Sequence, residues 1–87
     1  DARSAIVSLD LSESDIDKES LNYLKYLPAL EELDLSGTEI GDDDLDEIAK
    51  LSQLKKLWLD DTNTSKSAAE KLSGLTNLKK LSLSHLD

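Results

Sequence analysis

The chain has 87 residues, 19 acidic and 10 basic side chains, a net charge of −9, and neither cysteine nor methionine. That length holds one domain, the missing thiols exclude a disulfide framework and a thiolate metal site, and the acidic balance argues against nucleic acid, whose phosphates ask for a basic footprint. No apolar run approaches the roughly 18 residues of a membrane span and no signal-peptide pattern opens the sequence, so a membrane is not an expected partner either.

In chain order, alternation predicts a first strand near 8–12, with Leu9 and Leu11 on one face and Ser8, Asp10 and Ser12 on the other. A helix over 18–26 follows, capped by Asp17 and carrying Leu21 and Leu24 on one side; Pro28 then falls where continuation is unwanted. The string Leu33-Asp34-Leu35 predicts a second strand near 32–36. Leu45, Ile48 and Leu51 recur every three residues, which predicts a helix over 43–50 capped by Asp42 or Gly41. A third strand near 56–60 and a helix over 66–73 complete the alternation. Ser65 is the expected cap of that helix, with Ser67 and Glu70 as a second-choice capping box. A fourth strand is expected near 80–84.

These elements repeat with a period of 24 residues. Ile6, Leu30, Leu54 and Leu78 form one column; Leu9, Leu33, Leu57 and Leu81 the next; Leu11, Leu35, Leu59 and Leu83 a third. Ile16, Ile40 and Thr64 share a phase, as do Leu21, Leu45 and Ala69; Leu24, Ile48 and Leu72; and Leu27, Leu51 and Leu75. A polar column, Ser14, Thr38 and Thr62, ends on Leu86. All 19 leucines and all 4 isoleucines fall in these phases, a third of the available positions, which chance would not arrange. A strand and a helix within 24 residues leave no room for a conventional crossover, so the expected shape is a coil whose strands stack in parallel while short helices return on the other side.

The string Leu27-x-x-Leu30-x-x-Leu33-x-Leu35-x-x-Thr38-x-Ile40, repeated from Leu51 to Thr64, resembles the leucine-rich repeat family. It is most similar to the bacterial 24-residue variety that reads Leu-Asp-Leu-Ser-Gly-Thr, here Leu33 to Thr38. The resemblance implies an α/β solenoid, its parallel sheet concave and its helices convex. The chain would then be a single domain over 1–87, with repeats near 6–29, 30–53 and 54–77 and a partial one over 78–87. Where many family members place an Asn ladder that binds the turning backbone, this sequence has Ser14, Thr38 and Thr62, whose hydroxyls are expected to do the same.

Catalytic chemistry finds little support. His85 is the only histidine and reads as an exposed tail residue; Gly37, Gly41 and Gly74 are isolated turn residues, not a phosphate loop. The run Asp42-Asp43-Asp44 lacks the alternation and closing Glu of a calcium loop, and complements a helix dipole instead. Neither a cofactor nor an enzymatic activity is expected. The resemblance points to a protein partner docking on the concave strand face. Alternation turns Asp10, Glu32, Asp34, Lys56, Trp58, Asp60 and Lys80 outward there, with Trp58 exposed as the interface anchor. Tyr23 and Tyr26 are expected to lay their rings against the convex side with wet hydroxyls.

Charge is unevenly placed: residues 1–49 hold 15 acids and 3 bases, residues 50–87 hold 4 and 7. The ends carry only weak polar caps, so a head-to-tail homo-oligomer is a further expectation. A second reading stays open at this point: a structural or engineered module that self-associates through those ends and has no natural ligand.

Overall fold

A computed structural model describes residues 5–84. Four strands, β1 (Ser8–Asp10), β2 (Glu32–Asp34), β3 (Lys56–Trp58) and β4 (Lys80–Ser82), form one parallel sheet in the order β1-β2-β3-β4. Leu9, Leu33, Leu57 and Leu81 are direct partners along it, so each step across the sheet is 24 residues along the chain. Helical segments return the chain: α1 (Lys18–Asn22), continued by a 3-10 turn over Tyr23–Tyr26; a 3-10 turn over Asp42–Asp44 leading into α2 (Leu45–Ile48); and α3 (Ala68–Lys71). Alternating parallel strands and short helices are thus as expected; the first helical segment fills the expected 18–26, while the strands and the two later helices are shorter than the periodicity predicted.

The strands stop after three residues because the backbone turns there. The Asp10 and Asp34 carboxylates each accept the amide N–H two residues on, from Ser12 and Ser36 at 2.9 Å, a local bond that favours a turn over further ladder. The chain then passes through a left-handed residue at one phase of each of the first three coils: Glu13, Gly37 and Asp61, with φ of 60°, 71° and 56°. Only the middle one is glycine, which adopts this region without a Cβ clash. Next, the Ser14, Thr38 and Thr62 hydroxyls donate to the carbonyls of Leu11, Leu35 and Leu59 at 2.5, 2.6 and 2.8 Å. Thr64 is buried in the phase of Ile16 and Ile40, and its hydroxyl is satisfied by that of Thr62 at 2.8 Å.

Helix starts follow sequence chemistry in part. Asp17 caps α1 by accepting the Ser20 N–H at 2.9 Å. The Asp44 carboxylate reaches back to the Gly41 N–H at 3.0 Å. Ser65 accepts the Ser67 N–H, whereas no Ser67 side-chain cap forms, so the Ser67–Glu70 capping box is absent. One apolar column also needs correction: Ala68, not Ala69, is fully buried. Positions three and four before Leu72 share its helix face, and the third coil uses the fourth, where the second coil uses Leu45, three before Ile48.

The core runs along the stack between sheet and helices. Leu30, Leu33, Leu35, Leu45, Ile48, Leu54, Leu57 and Leu59 are completely buried. On the sheet side their counterparts in the outer coils, Ile6, Leu9, Leu11, Leu78, Leu81 and Leu83, are only half-buried, whereas Leu21 and Leu24, the first-coil counterparts of Leu45 and Ile48, are at most 4% exposed. For the sheet-side residues, burial follows the number of described neighbouring coils, two for the interior and one for the outermost.

Candidate functional site

The outer face of the sheet presents two adjacent rows fixed by the strand register. One runs Ser8, Glu32, Lys56, Lys80; the other Asp10, Asp34, Trp58, Ser82. Six of the seven expected site residues therefore lie side by side: Asp10, Glu32, Asp34, Lys56, Trp58 and Lys80. Asp60, the seventh, lies beyond the end of β3. Its Oδ1 accepts the Ser82 and Ser84 hydroxyls and the Ser84 N–H, each at 2.7 Å, so this carboxylate ties the third coil to the fourth.

Trp58 is half-buried, not fully exposed as the alternation predicted. Its ring is roofed by Lys80, with Nζ 5.3 Å from the centroid. Such a contact contributes about 0.5–1 kcal/mol at a wet surface. Lys56 Nζ stands 3.9 Å from Glu32 Oε2, and the neighbouring pair Lys55–Glu31 is at 3.2 Å. All four side chains are more than a third exposed, so these pairs steer more than they stabilise. The Ser12 hydroxyl, then the Ser12 amide, hold the Asp10 carboxyl below the ordinary carboxylate range. The face is thus acidic over β1 and β2, and basic over β3 and β4, with an aromatic ring at the change of sign.

One organising residue escaped the sequence reading. The Asp42 carboxylate accepts the Ser65 hydroxyl at 2.6 Å, the Ser65 N–H at 2.9 Å and the Ser67 hydroxyl at 3.4 Å. The Ser65 hydroxyl and amide push its pKa down against a smaller opposing desolvation. Asp42 therefore staples the second coil to the third, beyond any service to a helix dipole. Column alignment pairs Asp42 with Lys66, which hides the contact; the only available signal was a Ser-Lys-Ser run one repeat later. Among the described residues, no three His, Cys, Asp or Glu side chains gather to hold a metal ion, and no helix is long and apolar enough to cross a membrane. His85 lies outside the described residues.

A parallel sheet fed by short helices, with a 24-residue step and leucines turned inward, defines a leucine-rich-repeat type of unit. Consistent with this, residues 26–49 match a family model described as Leucine Rich repeat. Among solved structures, the chain is similar to an internalin from Listeria monocytogenes, with a TM-score of 0.72 and 23% identity over 92% of this chain. It spans 22% of that protein's length, and the likeness is one of fold. No curated protein sequence matches it.

Proposed function

We propose that the chain is a non-enzymatic protein-recognition module, a short solenoid of the bacterial 24-residue repeat type that binds a protein partner on the concave face of its sheet. The observation that carries this reading is Trp58. It occupies a row otherwise filled by Asp10, Asp34 and Ser82, contributes nothing to the buried core, and keeps part of its ring open to solvent. Large aromatic side chains ringed by charge supply much of the affinity at protein interfaces. Asp10, Glu32 and Asp34 on one side and Lys56 and Lys80 on the other give the partner an orientation; Asp60 supports the floor of the face through Ser82 and Ser84. A net charge of −9 favours protein over nucleic acid as that partner. The serine and threonine hydroxyls at Ser14, Thr38 and Thr62, each bonded to the carbonyl three residues before, support the repeat type.

The test is a binding assay with any protein captured by the immobilised chain. Trp58→Ala should weaken that complex at least about tenfold, the scale of a central interface aromatic. Lys71→Ala, on the helical side, should leave it unchanged. Equal affinity for wild type and Trp58→Ala would remove the sheet face as the binding surface.

A further inference from the structure

The charges on the outer face of the sheet are not all matched from within. Of the two cations in its rows, Lys56 stands 3.9 Å from the Glu32 carboxylate, and the Lys80 ammonium rests over the Trp58 ring at 5.3 Å. The anions of the second row fare differently. Asp10 and Asp34 are direct partners in the strand register, one strand spacing of about 4.8 Å apart. Each binds only the turn that follows it: Asp10 Oδ1 accepts the Ser12 N–H and hydroxyl, and Asp34 Oδ1 accepts the Ser36 N–H. Among the described residues no cation pairs with either carboxylate. Two like charges at that separation repel, and no neighbouring cation offsets the repulsion.

We propose that the protein docking on this face is a basic segment that presents an arginine, whose guanidinium bridges the Asp10 and Asp34 carboxylates and lies against the Trp58 ring. The inference rests on the sheet-face reading given above and names the chemistry of its partner. Three observations select this occupant. First, the uncompensated charge on the face is negative, and so is the chain as a whole at −9, which draws a cationic partner in. Second, and independently of the carboxylates, the Trp58 ring next in the same row already holds a cation, the Lys80 ammonium. The indole face thus receives a charged group, and a guanidinium stacks on it more closely than an ammonium does. Third, Asp10, Asp34 and Trp58 follow one another at paired strand positions. A planar fork of five N–H donors spans that spacing, whereas an ammonium acts as a point charge.

The same geometry disfavours the opposite occupant. An acidic segment would have to draw Lys56 from Glu32 and Lys80 from Trp58, and would set its own carboxylates beside Asp34. Lys80 is then a competitor for the ring and not a contact for the partner. It is exposed and on a flexible stem, so its ammonium moves out to solvent when the arginine is seated. Removing Lys80 should therefore strengthen binding, a sign that a merely structural role would not give.

Trp58 is the single tryptophan of the chain, so its fluorescence reports occupancy of this row directly. The probes are three blocked synthetic peptides of equal length, in which glycine alternates with arginine, lysine or glutamate. At about 25 mM salt, where screening is weak, the arginine peptide should shift Trp58 emission saturably. The lysine peptide should bind several-fold more weakly, and the glutamate peptide should cause no change. Asp10→Asn and Asp34→Asn should each weaken the arginine peptide roughly three- to tenfold, with far-ultraviolet dichroism confirming that both variants fold. Glu70→Gln removes the same charge from the exposed side of α3 and should weaken it less than about twofold. Lys80→Ala should tighten it. Equal losses from Glu70→Gln and Asp34→Asn would mean a response to net charge alone and overturn the proposal, as would tighter binding of the glutamate peptide. The two readings fail separately. If Trp58→Ala weakens a captured protein while Asp34→Asn leaves it unchanged, the face binds without an arginine contact and only that contact falls; if neither weakens it, both fall.

Discussion

Thr38→Val isolates the hydroxyl column. Valine keeps the volume and the branched shape, so little packing is lost; what goes is one O–H donor. That donor reaches the Leu35 carbonyl at 2.6 Å, with Thr38 4% exposed and Leu35 fully buried, so water cannot take its place. Losing the bond costs about 1 kcal/mol net, and stranding a buried carbonyl raises the total to roughly 1–3 kcal/mol. In a chain of this size each kcal/mol moves the melting temperature by about 4–8 °C. The control is Ser14→Ala in the first coil, where the same bond to Leu11 is only part-buried and solvent can re-pair the carbonyl; its cost should stay below about 1 kcal/mol. Urea unfolding followed by far-ultraviolet dichroism measures both, with the slope m expected to be unchanged. Equal losses at the two positions, or no loss at Thr38, would show that the hydroxyls are decoration and the turn is held by the leucines alone.

The left-handed phase makes a second test: Gly37→Ala should cost about 1–2 kcal/mol, since its φ is 71° and a Cβ there would lie 2.4 Å from Glu13 Oε1. Glu13→Gly should instead stabilise by about 0.5 kcal/mol, the relief of that conformation less the entropy of glycine; thermal melts of the pair should move in opposite directions. The Asp42 staple predicts a pH dependence. Its folded pKa lies below the unfolded value, so its contribution is present above about pH 4 and disappears as pH falls through the lower, folded pKa. Asp42→Asn should therefore be less stable than wild type at pH 6 and approach it at pH 2, whereas a gap constant with pH would mean the carboxylate charge is irrelevant. Finally, Ala68→Glu should abolish cooperative unfolding by forcing a charge into the core, while Ala69→Glu, one residue along, should fold normally by the same dichroism signal.

The 24-residue step, the parallel sheet order and the residues facing outward were legible because leucine at a fixed phase leaves few ways to hide the side chains. Element lengths were not, because turn-forming bonds at Asp10, Asp34, Ser14 and Thr38 compete with the ladder, and alternation alone carries no sign of where they prevail. Ala69 was placed inward by its phase. A one-turn helix, however, tolerates an inward residue at either of two spacings from Leu72, and a small alanine at each left nothing to choose between them. For the candidate site, the rows of charge were readable from register. The Lys80 contact on the Trp58 ring was not, since alternation does not say where a long side chain comes to rest. Asp42 stayed hidden because its partners, Ser65 and Ser67, sit out of phase with it.

The graded burial of the sheet-side leucines, complete in the interior coils and partial in the first and last described ones, bears on how such a chain can change length. Duplicating residues 30–53 would insert a coil that meets a neighbour on both sides while leaving the first and last coils as they are. Each insertion then adds one finished junction and no new boundary, so stability should climb by a steady increment per coil. Lengthening is downhill for this architecture, and removing one interior unit should cost the same increment.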